Sequence, residues 1–230
     1  MSNNPTKIEP LFIDDNLIVI NKPSGLLSIQ DGYNDDLPNL FELLKKFYGS
    51  VLIVHRLDKD TSGVIVFARN AKTHKQLNVQ FTEREVYKEY HALIKYPPYW
   101  SKAIIRYPLR INADRKHRTR VDTNHGKPAQ TTCQVVERYS TSALIQATPS
   151  TGYTHQIRAH LSAINHPIVG DRIYGIAQKI TENDPLMNRP ALHASAIRFV
   201  LDNASFSFTA PYPKDFLDVL ERNKSGAVQL

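Results

Sequence analysis

The stretch Val51–Ala68 reads VLIVHRLDKDTSGVIVFA. Its two ends, Val51-Leu52-Ile53-Val54 and Val64-Ile65-Val66-Phe67-Ala68, are continuous apolar runs, the pattern of buried strands. Between them lies the densest polar cluster of the chain, His55-Arg56-Leu57-Asp58-Lys59-Asp60-Thr61-Ser62-Gly63. Carboxylates, basic side chains and a histidine crowd a turn closed by Ser62-Gly63. Loops between rigid strands commonly carry functional groups. A tight turn with self-compensating charges has the same composition, so the residue types alone leave both readings open.

Working outward, strand signals dominate. Leu11-Phe12-Ile13 and Leu17-Ile18-Val19-Ile20 flank Asp14-Asp15-Asn16 as a hairpin. Thr131–Arg138 with Ser142–Thr148, and Ala196–Val200 with Ser205–Thr209, predict two more. Val86–Ile94 reads as a strand whose period of two puts Val86, Lys88, Tyr90, Ala92 and Ile94 on one face. Asn70 caps a predicted helix from Ala71 to about Phe81. Thr154 is placed to cap a second, His155–Ile164, with Ile157, Leu161 and Ile164 as its core stripe. Asp215–Arg222 predicts a closing helix. Strands with a few helices that do not alternate strictly give an α+β fold, a mostly antiparallel mixed sheet with flanking helices. A tail of residues 1–7 precedes one expected domain, 8–230.

Composition narrows the class. The chain has 230 residues, 41% hydrophobic and 22% charged, which excludes a disordered, collagenous or coiled-coil protein. The single cysteine, Cys133, excludes an intramolecular disulfide and a thiolate zinc cluster. No apolar run of about 18 residues offers a membrane span. Asp14 and Asp15 interrupt what would be the apolar part of a signal peptide, so a soluble, cytoplasmic protein is expected. The net charge of +7 is uneven. Arg106, Arg110, Arg115, Lys116, Arg118, Arg120 and Lys127 are opposed within their segment only by Asp114 and Asp122. Such a patch suits a polyanion such as RNA.

A second polar cluster is Thr151-Gly152-Tyr153-Thr154-His155-Gln156-Ile157-Arg158-Ala159-His160-Leu161. A helix start with Gly and Thr suits a phosphate or carboxylate, and an ordinary capped amphipathic helix reads the same way. His155 and His160 miss the i,i+4 spacing of a zinc pair, and neither GxGxxG nor GxxxxGK[ST] occurs.

Taken together, these segments resemble the RluA family of pseudouridine synthases nearly end to end. Asn21-Lys22-Pro23-Ser24-Gly25-Leu26-Leu27-Ser28 is similar to the family's first motif. His55 to Gly63 is similar to its HRLDxxTSG, Lys88-Glu89-Tyr90 to its KxY, and His155 to Leu161 to its HQIRxHL. His166-Pro167-Ile168-Val169-Gly170-Asp171 with Tyr174-Gly175, Leu192-His193-Ala194 and Ala210-Pro211-Tyr212-Pro213 complete the pattern.

The resemblance implies the pseudouridine synthase catalytic fold and an isomerase without cofactor or metal. Such an enzyme detaches uracil from ribose at N1, turns it and rejoins it through C5. It implies Asp58 as the acting carboxylate, Arg158 as its partner, and Tyr90 stacked on the uracil above Ile157. Arg56 would enter the RNA where the flipped uridine has left. Lys22 and Lys88 would face the RNA or support the site. The family's short members, which resemble this chain most, modify tRNA, 23S rRNA or both. Only about 21 residues precede Lys22, too few for the S4 RNA-binding domain of other members, so structured RNA is expected to be recognised by the catalytic domain of a monomer. One departure is Tyr153, where the family usually has arginine. The competing functions are a glycosidase, which would release free uracil, and a non-catalytic RNA-binding or ribosome-assembly factor.

Overall fold

The structure, a computed structural model, describes residues 8, 10–32, 34, 36–114, 118–175 and 187–225. The expected tail 1–7, and Arg115 and Lys116 of the basic segment, lie outside the described residues. Two compact units emerge, Met1–Val86 with Ala196–Pro211, and Tyr87–Ser195 with Tyr212–Leu230. Among the described residues no helix is long and apolar enough to cross a membrane.

In the first unit, β1 (Pro10–Ile13) and β2 (Leu17–Lys22) form the expected antiparallel hairpin. Asp14 Oδ1 makes its turn by accepting the N–H of Asn16 (2.8 Å) and of Leu17 (2.7 Å). Helix α1 (Leu40–Tyr48) follows, capped by Asn39, whose Oδ1 accepts the Glu42 N–H. Strands β3 (Leu52–Ile53) and β4 (Ser62–Ala68) are the apolar runs around the polar loop. All seven residues of β4 are buried, and β2 and β3 pair with it antiparallel. Full burial of a side chain such as Ile65 or Phe67 is worth about 1.5–3 kcal/mol, so the loop is carried by a strongly held strand. Helix α2 (Ala71–Thr82) starts where expected, with Asn70 Oδ1 accepting the Thr73 N–H at 2.9 Å.

The second unit is built on β5 (Tyr87–Lys95), β6 (Lys102–Ile105), β9 (Thr131–Arg138) and β10 (Ser142–Pro149). They pair antiparallel in the order β5-β10-β9-β6. Before β9 the chain makes a small hairpin, β7 (Leu109–Arg110) with β8 (Arg120–Val121). Helix α3 (Gln156–Ala163) turns Ile157 and Leu161 into the core, together with Ala92, Ile94, Ile145 and Ala147 of the sheet.

Strand β11 (Leu192–Leu201) begins in the second unit and ends in the first, where it pairs antiparallel with β12 (Ala204–Thr209). Asp202 and Asn203 both have positive φ at that turn, the backbone that a two-residue hairpin favours. Helix α4 (Lys214–Ser225) closes the second unit and buries Phe216. Cys133 is buried in that unit's core, and desolvation pushes its thiol up to about 12, so it is chemically inert.

Candidate active site

The loop Leu57–Asp60 is fixed through its backbone by the motif that precedes it. Ser28 Oγ both donates to the Leu57 carbonyl (2.7 Å) and accepts the Leu57 N–H (3.0 Å). The Asp58 carbonyl accepts the Thr61 N–H at 3.1 Å. The Lys59 carbonyl accepts both the Gly25 N–H (2.9 Å) and Lys22 Nζ (3.0 Å), and the Asp60 carbonyl accepts Ser24 Oγ at 3.0 Å. All four carbonyls are therefore held, and the segments NKPSGLLS and HRLDKDTSG form one rigid assembly. Leu57 is buried as its anchor, Asp58 is half-buried, and Arg56 is exposed. His55 is structural: its Nε2 accepts the Val66 N–H of β4 at 3.0 Å, and its ring stacks on Phe81.

Of the two roles expected for Lys22, its surroundings fit support of the site. Lys22 is 0% exposed, and Nζ donates to the carbonyls of Pro23, Leu26 and Lys59 at 2.8–3.0 Å. Three carbonyl acceptors are what make burial of an ammonium tolerable. The residue thus supports the loop and does not face RNA.

In β5, alternation sends Tyr87, Glu89 and His91 to one face and Lys88, Tyr90 and Ala92 to the other. The first set is tied up among itself. Glu89 Oε2 accepts Tyr87 Oη (2.7 Å) and Gln146 Nε2 (2.8 Å), Ser195 Oγ reaches Glu89 Oε1, and His91 Nδ1 meets Tyr212 Oη. Burial lowers the basicity of His91 against the opposing influence of Glu89. Tyr90 is half-buried, packed against the core of the second unit, and Lys88 Nζ lies 3.4 Å from the Thr151 carbonyl.

The third motif explains itself residue by residue. Gln156 is buried with both ends of its amide used. Oε1 accepts Thr151 Oγ1 (2.7 Å) and the Tyr153 N–H (3.2 Å), while Nε2 donates to the Gln130 carbonyl (2.9 Å) and Thr131 Oγ1 (3.1 Å). His160 Nε2 donates to the Tyr107 carbonyl, so Nδ1 accepts from Thr131 Oγ1, both at 2.9 Å. Burial holds this imidazole below its ordinary pKa, despite the Tyr107 contact. Thr154 does not cap α3. The cap position is His155, in the left-handed region at φ 56 and without a side-chain cap bond. The Gln156 amide instead closes the turn that precedes the helix. Ile157 and Arg158 are thereby set on a helix start that is over-determined by its neighbours.

Arg158 is buried and meets a carboxylate that the sequence reading did not supply. Its Nε and Nη2 donate to Asp171 Oδ2 (2.7 Å) and Oδ1 (2.9 Å). Gly170, just before Asp171, has φ +74, and a Cβ there would lie 2.1 Å from the Arg189 carbonyl oxygen and 2.7 Å from that of Met187. Gly170→Ala is expected to cost about 2–5 kcal/mol of stability through combined overpacking and backbone strain, read as a fall in the urea midpoint. An unchanged midpoint would show that the two carbonyls move aside freely.

The sequence model of the RNA pseudouridylate synthase family matches residues 16–163. The dual-specificity RNA pseudouridine synthase RluA of Vibrio vulnificus is 33% identical over 213 residues, covering 90% of this chain and 84% of that protein. The proteins of that name in Pasteurella multocida and Escherichia coli K12 are 36% and 35% identical over 207 residues, covering 89% and 90% of this chain and 93% of each relative. The chain belongs to the RNA pseudouridylate synthase family. It is an RNA pseudouridine synthase, an isomerase acting on RNA. Its fold agrees with two solved structures. Human RNA pseudouridylate synthase domain containing 1 has TM-score 0.76 at 27% identity, covering 90% of this chain and 84% of that one. Human RNA pseudouridylate synthase domain containing 4 has TM-score 0.78 at 27% identity, covering 94% and 92%.

Of the synthase's basic segment, Arg110 and Arg120 stand on the hairpin β7–β8. Asp114 Oδ2 accepts Arg118 Nε (2.6 Å) and Arg120 Nη2 (2.9 Å), and Arg110 lies 3.8 Å from Asp122. The two carboxylates already counted against the segment are thus engaged, its net positive charge is unchanged, and the Arg110 and Arg120 side chains stay 59% and 55% exposed. Thr119 pins the hairpin beside α3. Its N–H donates to Tyr174 Oη (2.7 Å), and its Oγ1 donates to the Thr154 carbonyl (2.7 Å). Tyr153, the departure from the family pattern, packs half-buried against the small core of Leu109, Ala129, Ala159 and Tyr174. Among the described residues no group of three or more His, Cys, Asp or Glu is placed to hold a metal ion.

Proposed function

We propose that this synthase isomerises specific uridines of structured RNA, 23S ribosomal RNA, transfer RNA or both, with Asp58 as the carboxylate that acts on the flipped-out nucleoside. The observation that carries this reading is the loop Leu57–Asp60, whose four fixed carbonyls present a half-buried aspartate on a rigid base. Such preorganisation is what a reaction at a sugar carbon requires. The relatives named dual-specificity support more than one RNA target.

In the reaction the N1–C1′ bond breaks and a C5–C1′ bond forms. The proton on C5 passes to water, and N1 takes one up. Asp58 acts either as nucleophile or as the base that takes a sugar proton, and both routes need it ionised. Arg158 partners that carboxylate and fixes its direction. Tyr90 stacks on the uracil, with Ile157 packed beneath, and holds the detached base while it turns. Arg56, exposed beside Asp58, enters the space the uridine leaves. Lys88 and the exposed arginines of the β7–β8 hairpin meet phosphates and set affinity more than sequence choice. In this reading the chain from residue 8 is one catalytic domain, working as a monomer in the cytoplasm.

RNA carrying tritium at C5 of uridine tests this directly. Tritium is expected to enter water without strand cleavage and without free uracil. Release of uracil in step with tritium-free product would make the enzyme a glycosidase. RNA binding with neither product would make it a non-catalytic factor.

A further inference from the structure

We propose that Asp171 is a positioning residue of the reaction, acting through Arg158. The inference rests on the reading of Arg158 as the guanidinium that partners Asp58. Arg158 and Asp171 side chains are 6% and 0% exposed, and they meet through two short, parallel hydrogen bonds. Asp171 is itself immobilised. Its Oδ1 also accepts the N–H groups of Ile173 (3.0 Å) and Tyr174 (3.1 Å), and its carbonyl accepts the Gly175 N–H. The carboxylate is thus welded to the backbone of its own turn. The Arg158 guanidinium lies 5.0 Å from the centre of the Tyr174 ring, within cation–π range. Tyr174 Oη in turn accepts the Thr119 N–H of the basic hairpin.

The guanidinium is therefore gripped by one edge and one face. Asp171 takes the Nε–Nη2 edge. Because the group is planar, fixing that edge fixes where the Nη1 end points. A buried ion pair is a poor source of stability, since desolvation consumes most of the attraction and apolar replacements often do as well. What it does provide is direction. A 1 Å error in the placement of a group that serves the reacting carboxylate can cost about 100-fold in rate. Arg158 follows Ile157 in the first turn of α3, where the Gln156 side chain ties the helix start to Gln130 and Thr131. Side chain and helix start are thus positioned independently, by Asp171 and Gln156.

The test is a four-enzyme cycle of wild type, Asp171→Asn, Arg158→Lys and the double variant. Each is followed by single-turnover tritium release, with RNA affinity and thermal melting measured alongside. Asp171→Asn keeps an oxygen for the Ile173 and Tyr174 N–H groups but removes one acceptor for Arg158. Its rate is expected to fall about 100-fold at unchanged RNA affinity. In the Arg158→Lys background it is expected to add less than about twofold, since residues that act as a unit are not additive. A near-wild-type rate for Asp171→Asn beside an impaired Arg158→Lys would overturn the inference and leave the reading of Arg158 standing. Losses that multiply would also overturn it, because Asp171 would then act by another route. A fully active Arg158→Lys would sink the reading of Arg158 and the inference with it. Should Asp171→Asn melt below the assay temperature, Asp171→Glu keeps the charge and shifts the carboxylate by one methylene. The same split between rate and affinity is expected of it, and a wild-type rate would be contrary.

Discussion

Asp58→Ala is expected to abolish tritium release while RNA binding and folding survive. The rate loss expected for removal of the acting group is on the order of 10⁴–10⁶-fold. Affinity is expected to hold because phosphate contacts, not the reacting carboxylate, dominate binding to RNA. Folding is expected to hold because the loop is fixed through main-chain groups. Ser28 holds both polar atoms of the Leu57 backbone, and Lys22, Gly25, Ser24 and Thr61 hold the next three carbonyls. None of these bonds uses the Asp58 side chain, so the loop is expected to keep its fold. A variant that releases tritium at the wild-type rate would remove Asp58 from its role. A variant that loses RNA binding in parallel would place the residue in recognition instead.

Arg158→Lys is the second large effect. The charge is kept, so an account resting on charge alone expects near-normal turnover. The structure gives a different expectation. Arg158 makes two parallel bonds to Asp171, at 2.7 and 2.9 Å, in a buried setting over the Tyr174 ring. An ammonium is a point donor and cannot present one planar edge to Asp171 while directing another elsewhere. A loss of about 100-fold in single-turnover rate, or about 3 kcal/mol on the barrier, is expected at unchanged RNA affinity. Normal turnover would show that fork geometry is unimportant.

The strands around the polar loop were legible because their apolar runs are continuous, as burial of every residue of β4 requires. The Asn70 cap and the hairpin at Asp202-Asn203 were legible because their chemistry is local. The helix begins one residue later than Thr154 predicts, and what holds its start is not local. The Gln156 side chain reaches residues 130 and 131, and no spacing rule reveals that. Of the two roles open to Lys22, facing RNA or supporting the site, the sequence does not choose, because the three carbonyls that bury it come from two separate segments. Helix α1 carried a readable signal that went unused, an asparagine cap three residues before Glu42. Strands β7 and β8 span two residues each, too short for any periodicity to show. The Asp171 partner of Arg158 is thirteen residues away across an irregular segment. Only the fold brings it in.

The central claim is that the Asp58 carboxylate acts on the sugar of a flipped-out uridine. Its most direct test is a crystal structure of the enzyme with RNA in which the target uridine is replaced by 5-fluorouridine. Fluorine cannot leave C5 as the proton does, so the rejoined base is trapped before release. The nucleoside is expected outside its helix, with an Asp58 carboxylate oxygen bonded to C1′ or within about 3–3.5 Å of the sugar carbons. A trapped nucleoside lying against other residues, with Asp58 remote from its sugar, would contradict the account.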